Sequence, residues 1–219
     1  KMELKLLKEI VKGGEGKRTE FKLKTKHPEK IIRSIVAFAN TDGGRLFLGV
    51  RDDRTIIGLK DPEEDLFSLT RAIEKWITPD LDYAVERISV GLDREVMVFH
   101  IPTSKTKPHY VLDVEGKRRA YIRVGEQSIQ ASREMKQILL RGKVNANILI
   151  RYGTHERILM SLLDQVDSIT LNVFASKAFI SKRKASEILI TMVLAQVLQI
   201  QPHEIEDTYT WSPQFTAHH

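Results

Sequence analysis

The sequence predicts an α+β protein, a mixed sheet with flanking helices, followed by a small winged-helix-like domain. Segments with alternating apolar residues outnumber helical segments up to about residue 125, whereas helical segments follow one another after residue 142. The chain has 219 residues, of which 42% are hydrophobic, so it has enough apolar side chains to form cores. We therefore expect two domains, residues 1–145 and residues 146–219.

The first domain alternates helices with strands. Apolar side chains recur at helical spacing in residues 3–11 and 28–39, and a third helix begins at Asp61-Pro62 and ends before Pro79. Alternating patterns predict strands at residues 19–23, 45–50, 55–59, 84–90, 95–101, 109–112 and 119–124. We expect residues 45–50 and 55–59 to form a hairpin, and residues 132–140 to close the domain as a helix.

The second domain is predicted to be mostly helical. Helices are expected at residues 154–166, 170–179 and 181–194, with Ser168 or Thr170 and then Ser181 as N-caps. Residues 197–200 and 207–211 can form a two-stranded wing, which gives the layout of a winged helix. The alternative is a helical packing or dimerisation module, which the net charge of −1 beyond residue 145 favours.

The sequence lacks the signature residues and motifs of several classes of protein. The chain has no cysteine, which excludes a disulfide scaffold, a thiolate metal site and a cysteine nucleophile. It also has no zinc-protease motif, Walker loop or esterase elbow. No apolar run is long enough to span a bilayer and no cleavable signal opens the chain, so we expect a soluble, cytoplasmic protein without membrane contact. Because Lys1 precedes the first methionine, we expect the natural start to lie elsewhere.

Positive charge is concentrated in the first domain. The chain carries 35 Lys and Arg against 29 Asp and Glu, and residues 1–145 alone have a net charge of +7. Ten basic residues lie in the first thirty positions. Such a cluster suits a polyanion, because each neutralised phosphate releases counterions, although a well-solvated surface explains it equally well.

Five short segments carry a family resemblance. They are Glu20-Phe21-Lys22, residues 37–44 (Ala-Phe-Ala-Asn-Thr-Asp-Gly-Gly), Gly49-Val50-Arg51-Asp52, Lys107-Pro108-His109-Tyr110 and residues 120–125. Together they resemble the Schlafen AlbA-like domain over roughly residues 10–132. The chain is similar to bacterial Schlafen-type transcriptional regulators, which carry a helix-turn-helix segment after this domain. The resemblance implies a nucleic-acid-binding protein that needs no cofactor for binding.

Several lysine and arginine side chains are candidates for binding phosphates. They lie near strand ends, in loops and at the start of the third helix of the second domain. The alternative is that they are ordinary solvent-exposed surface residues. The candidate nucleic-acid-binding residues are Lys17, Arg18, Lys22, Lys24, Arg45, Arg51, Lys107, His109, Tyr110, Arg123, Lys182, Arg183 and Lys184. The expected partner is DNA or RNA, and the chain could also form a homo-oligomer. The first hypothesis is therefore a DNA-binding transcriptional regulator.

A second hypothesis concerns three carboxylates. Glu15, Glu20 and Asp52 resemble the three carboxylates that vertebrate Schlafen endoribonucleases use for a divalent-metal site, which implies Mg²⁺ or Mn²⁺ and cleavage of structured RNA. Hard oxygen ligands suit these metals. Glu20 could instead pair with a lysine, and Asp52 lies in a natural turn. A third hypothesis is an interaction module whose basic face binds an acidic protein.

Some residues of the resemblance have structural explanations. Phe21, Phe38 and Phe47 could stack on bases, but each lies in an apolar stripe and is expected in a core. Gly43 permits a positive φ in the turn from helix to strand, and Asn40 can bind free backbone groups near the helix end.

Overall fold

The computed structural model describes residues 2–91, 93–142 and 152–216. The chain divides into two compact units, Lys1–Gln130 and Ala131–His219. The domain boundary expected between residues 145 and 146 lies outside the described residues. None of the helices in the described part is long and apolar enough to cross a lipid bilayer.

The first unit is an α+β structure, as the sequence predicts. Its helices are α1 (Leu4–Gly13), α2 (Pro28–Asn40) and α3 (Pro62–Trp76). Its strands are β1 (Thr19–Lys22), β2 (Gly44–Leu48), β3 (Ile77–Thr78), β4 (Ala84–Gly91), β5 (Arg94–Ile101), β6 (Tyr110–Leu112), β7 (Arg118–Arg119), β8 (Tyr121–Val124) and β9 (Gln127–Gln130).

The main sheet of the first unit is mixed, with strand order β1-β2-β5-β4. Strand β1 runs parallel to β2, while β2 with β5 and β5 with β4 are antiparallel. Two smaller sheets have the orders β3-β6-β7 and β8-β9. The prediction of a mixed sheet with flanking helices is therefore confirmed.

The main sheet packs apolar side chains on both faces because successive strand residues point to opposite sides. On one face, Leu46 and Leu48 pack with apolar side chains of α2 and α3, including Phe38. On the other face, Phe21 and Phe47 pack edge to face, 5.8 Å between ring centroids, beside Leu7 of α1. Phe21, Phe38 and Phe47 are fully buried, which confirms their expected place in the core.

The turn from α2 to β2 is built as the sequence predicts at Gly43 but differently at Asn40. Gly43 has φ +73°, and a Cβ there would lie 2.8 Å from the carbonyl oxygen of Ile101. Asn40 is buried, and its Nδ2 donates to the carbonyl oxygens of His109 and Tyr121, both at 2.9 Å. Its Oδ1 accepts from the backbone N–H of His109. Asn40 thus fastens α2 to β6 and β8 and does not cap its own helix.

The hairpin expected at residues 45–50 and 55–59 is wrong. Both edges of β2 are already hydrogen-bonded, one to β1 and the other to β5, so no edge remains for a returning strand. Residues 55–59, all of which the structure describes, make only single bridges, Val50 with Ile56 and Leu59 with Glu95. The backbone folds tightly here, because the carbonyl oxygen of Gly49 accepts from the N–H groups of both Ile57 and Gly58.

The second unit contains a helical core and a small sheet. Its helices are α4 (Arg133–Arg141), α5 (Thr154–Leu163), α6 (Leu171–Lys177), α7 (Lys182–Leu194) and α8 (Pro213–Thr216), and its strands are β10 (Ile169–Thr170), β11 (Leu198–Gln201) and β12 (Thr208–Trp211). The sheet has the order β10-β12-β11 and is antiparallel. Phe174, Leu189 and Tyr209 are buried in its core.

The helix ends of the second unit follow the sequence closely. The hydroxyl oxygen of Thr170 accepts from the N–H of Val173, and that of Ser181 accepts from the N–H of Lys184. Of the two alternatives before α6 the structure selects Thr170, and the N-cap predicted at Ser181 is confirmed. Helix α4, expected to close the first domain, belongs to the second unit, where Glu134 accepts a 2.6 Å hydrogen bond from Ser186 of α7.

Candidate nucleic-acid interface

Glu15 and Glu20 lie on either side of one lysine. The ammonium group of Lys22 is 2.7 Å from the Glu20 carboxylate and 3.9 Å from that of Glu15. Glu15 also accepts a 2.7 Å hydrogen bond from the backbone N–H of Phe21, which holds the loop before β1 against the strand. A cation of the protein thus already lies between the first two carboxylates of the metal hypothesis.

Arg123 neutralises the remaining oxygen of Glu20. Its guanidinium lies 2.7 Å from the Glu20 carboxylate and also donates to the carbonyl oxygens of Gly16 and Thr19. It sits 5.0 Å from the centre of the Phe38 ring, and its side chain is only 1% exposed. Arg123 therefore fastens β8 to β1. Its guanidinium is buried and paired in this arrangement, and its direct contact with nucleic acid stays a prediction.

Asp52 does not join the other two carboxylates. It is exposed in the loop after β2 and lines a shallow cavity of about 540 Å³ with four lysines and with Asp61, Glu64 and Asp65. In the described part of the chain, no three acidic or histidine side chains are arranged to hold a metal ion. The residues present therefore do not fit the divalent-metal site that the resemblance implies, and Glu15 and Glu20 hold β1 in place through Lys22 and Arg123.

A groove beside the start of β2 brings together two of the predicted cations, Arg18 and Arg45. This groove, of about 670 Å³, is lined by Arg18, Asp42, Gly43, Gly44, Arg45, Asp82, Tyr83, Ala84, His100, Ile101, Pro102 and Thr103. Arg18 and Arg45 form no ion pair with any residue that the structure describes. The paired register explains the cluster, since Thr19 of β1, Arg45 of β2 and His100 of β5 lie side by side across the sheet. We call this feature the β2 groove.

Asp42 is one of the two acidic residues that line the β2 groove, the other being Asp82. Lys17, at 2.5 Å, donates a hydrogen bond that lowers the pKa of Asp42 below its ordinary value; burial opposes this, and the charges of Lys17, Arg18 and Lys107 reinforce it. Asp42 is therefore ionised at neutral pH and partly offsets the positive charge of the β2 groove. Lys17 is 61% exposed despite this pair.

The segment from Lys107 to Tyr110 is mostly internal. His109 is fully buried, with its Nδ1 2.8 Å from the carbonyl oxygen of Pro79 and its Nε2 2.6 Å from the hydroxyl of Ser104. In this arrangement the His109 ring serves internal hydrogen bonds, and its direct contact with nucleic acid stays a prediction. Lys107 donates to the carbonyl oxygen of Thr41, and its burial lowers its pKa. Tyr110 is half-buried under Arg118.

The remaining predicted cations are exposed but dispersed. Lys24 lies with Lys22 beside Asp52, and Arg51 is exposed in the loop after β2. In the second unit, Lys182, Arg183 and Lys184 are all exposed on the first turn of α7. Ser186, further along α7, is buried and donates a hydrogen bond to Glu134 of α4.

Two residues of the β2 groove were not singled out from the sequence. Tyr83 and His100 line the groove, and His100 is held by Glu86 at 3.1 Å. The alternation in β5 places His100 on a different face from its apolar neighbours Phe99 and Ile101, which could have indicated it. Tyr83 lies before β4, so its position depends on a loop that periodicity does not predict.

The fold and this site define an α+β domain with a mixed sheet, an internal network of paired charges and a groove with two arginines at the ends of the central strands. The family model described as Schlafen, AlbA_2 matches residues 15–132, more than half of the chain. The chain belongs to this family.

Two solved structures are similar to parts of the chain. One is the DIP2311 protein from Corynebacterium diphtheriae, with 21% identity and a TM-score of 0.42 over 71% of this chain and 30% of that chain. The other is the N-terminal domain of a RecG-related protein from Nitrosomonas europaea, with 23% identity and a TM-score of 0.44 over 61% of this chain and 94% of that chain. This chain thus spans less than a third of the C. diphtheriae protein.

Proposed function

We propose that this protein binds nucleic acid through the β2 groove and acts as a DNA-binding transcriptional regulator. The observation that carries the proposal is the pair Arg18 and Arg45, which line a groove without ion-pair partners in the described part of the chain. Guanidinium groups donate several hydrogen bonds in a planar fork that matches a phosphate. The family membership supports a nucleic-acid-related role.

The β2 groove also has features that suit nucleic acid beyond charge. Tyr83 supplies an aromatic ring at the groove wall and stacks at 5.9 Å on Phe99, which fixes its position. An anchored ring beside free cations can contact sugars or exposed bases while the cations bind phosphates. Asp42 and Asp82 line the same groove and balance the formal charge of the two arginines, so the proposal rests on the donor geometry of Arg18 and Arg45 and not on a net positive charge.

The second unit contributes the feature that favours DNA in this proposal. Its element order, α5, β10, α6, α7, β11 and β12, is compatible with the proposed winged helix, in which β11 and β12 would be the wing. In such a domain the helix corresponding to α7 enters the major groove with its N-terminal residues foremost. Lys182, Arg183 and Lys184 occupy that end of α7 and are exposed.

Binding to duplex DNA, single-stranded DNA and structured RNA, measured by fluorescence anisotropy over a range of salt concentrations, tests the proposal. Duplex DNA should bind most tightly, and the logarithm of the binding constant should fall linearly with the logarithm of the salt concentration. Absence of binding to all three, or binding that salt does not weaken, would overturn it. Tighter binding to RNA than to duplex DNA would support nucleic-acid binding but contradict the proposal of a DNA-binding transcriptional regulator.

A further inference from the structure

The second unit contains a cavity that the nucleic-acid proposal does not use. It has a volume of about 340 Å³ and is lined by residues at the starts of α4, α6 and α7, in the turn before β12 and in β12 itself. A water molecule takes up about 30 Å³ in the liquid, so the cavity exceeds what one ion fills. Its size is at the lower end for sites that bind small organic molecules.

Asp207 lines this cavity, and its carboxylate can accept a further hydrogen bond. Its Oδ1 accepts from the backbone N–H of His203 at 3.0 Å. Its Oδ2 is buried and has no hydrogen-bond partner among the described residues, and the residue as a whole is 8% exposed. A buried carboxylate oxygen without a donor is costly, so such atoms are rare in folded proteins. A ligand that brings a donor would remove this cost.

The surroundings of Asp207 favour a cationic donor. Glu134 and Glu206 also line the cavity, and each is already bound, Glu134 by Ser186 and Glu206 by Asn172 at 2.7 Å. Burial, and then the charges of Glu134, Asp207 and Glu206, raise the pKa of Tyr209. The carboxylates therefore make this part of the cavity electronegative, which favours an ammonium group over a neutral donor.

The same cavity carries positive charge on other elements. Arg133 at the start of α4 and Lys182 and Arg183 at the start of α7 are exposed. None of the three forms an ion pair within the described residues. They would repel a simple cation but attract a ligand that also carries an anionic group. Leu171 and Ile205 add apolar wall between the two kinds of charge.

We propose that this cavity binds a small zwitterion, with its ammonium group on Asp207 Oδ2 and its carboxylate or phosphate on Arg133, Lys182 and Arg183. An α-amino acid or an aminoalkyl phosphate has this chemistry. The site does not depend on nucleic-acid binding, although Lys182 and Arg183 belong to both proposals.

Isothermal titration calorimetry on the full chain tests the proposal, with the standard α-amino acids and phosphoethanolamine as separate probes. At least one probe should bind. Binding of an amino acid would identify the anionic group of the ligand as a carboxylate, and binding of phosphoethanolamine would identify it as a phosphate. For that probe, the 2-hydroxy analogue, which lacks the ammonium, and the analogue without the anion should each bind at least tenfold more weakly. If either analogue binds as tightly as the probe, the proposal that the cavity recognises both charges of a zwitterion is wrong.

Variants locate the site. Asp207→Asn keeps an Oδ1 acceptor for the His203 N–H and should weaken the probe at least tenfold. Glu204→Gln, an exposed acid in the same turn, is the matched control and should leave the affinity unchanged. No binding of any probe at millimolar concentration would overturn the proposal, as would undiminished binding to a folded Asp207→Asn protein. If that variant does not fold, the comparison of analogues on the unaltered protein decides.

Discussion

The guanidinium of Arg123 lies 2.7 Å from the carboxylate of Glu20, with 1% of the arginine side chain and 10% of the glutamate side chain exposed. Glu20 also binds Lys22, and Arg123 also binds the carbonyl oxygens of Gly16 and Thr19. The two residues are 103 positions apart in the sequence, so their contact joins the beginning of the first unit to its end.

Replacing Arg123 should destabilise the first unit strongly. Arg123→Met leaves Glu20 buried with one cation fewer and the carbonyl oxygens of Gly16 and Thr19 without this donor, so the free energy of unfolding should fall by about 3–5 kcal/mol. Urea denaturation followed by circular dichroism measures this. Arg119→Met is the control, because its pair with Asp113 is more exposed and should contribute about 1 kcal/mol or less. Equal effects of the two substitutions would refute the internal role of Arg123.

Asn40 should be nearly as sensitive. Asn40→Ala removes one acceptor and two donors that serve His109 and Tyr121 inside the protein, at a cost of about 3 kcal/mol. Gln127→Ala, an exposed amide in β9, should cost less than about 0.5 kcal/mol. The same denaturation measurement compares them, and a small effect at Asn40 would contradict its fastening of α2.

The stability of the first unit should depend on the ionisation of Asp42. Its pKa is lower in the folded chain than its ordinary value of 3.8, mainly because Lys17 donates a hydrogen bond to it. Its contribution is therefore fully present above about pH 3.8 and is lost as the pH falls through the lower folded value. The stability difference between the wild type and Asp42→Asn should accordingly shrink with acidification below that pH. A difference that grows with acidification would contradict the pairing; Asp80→Asn serves as an exposed control.

Divalent metal should not stabilise the first unit through its carboxylates. Lys22 and Arg123 already neutralise Glu20, and Asp52 lies on the exposed loop after β2, in a cavity lined by lysines and by other acids. Millimolar Mg²⁺ or Mn²⁺ should leave the melting temperature of the wild type and of Asp52→Asn equally unchanged. A metal-induced rise that disappears in Asp52→Asn, together with metal-dependent cleavage of structured RNA, would restore the nuclease hypothesis.

The cations of α7 should account for part of the salt dependence of DNA binding. Replacing Lys182, Arg183 and Lys184 together with glutamine should reduce the slope of log affinity against log salt by about 0.9 for each phosphate that these side chains neutralise. The matched control replaces three exposed cations of α1, Lys5, Lys8 and Lys12, in the same way. A slope that the α7 substitutions leave unchanged would return this end of α7 to a packing role.

Much of this fold can be predicted from the sequence because its elements follow local rules. Apolar periodicity predicts α2 and β5, and hydroxyl N-caps predict the starts of α6 and α7. The failed hairpin shows the limit of such rules. Residues 45–50 and 55–59 alternate correctly, but long-range pairing with β1 and β5 takes both edges of β2.

The candidate site is less predictable because it depends on burial and on distant partners. Arg18 and Arg123 look equally available in the sequence, yet one lines the β2 groove and the other is enclosed by Glu20, Gly16 and Phe38. Likewise, a histidine in a Lys-Pro-His-Tyr segment gives no sign that Asn40 and Ser104 will surround it. Sequence reasoning finds the charged residues but does not sort internal from external ones.

The most direct test of nucleic-acid binding through the β2 groove is a comparison of two double variants. One variant combines Arg18→Gln and Arg45→Gln in the β2 groove. The other combines Lys5→Gln and Lys8→Gln and removes the same charge from the exposed surface of α1. Fluorescence anisotropy with labelled duplex DNA measures the affinity of each. We predict that the groove variant loses at least tenfold in affinity and that the α1 variant changes by less than threefold. Equal losses would show that only net charge matters, and full affinity in the groove variant would contradict the proposed interface.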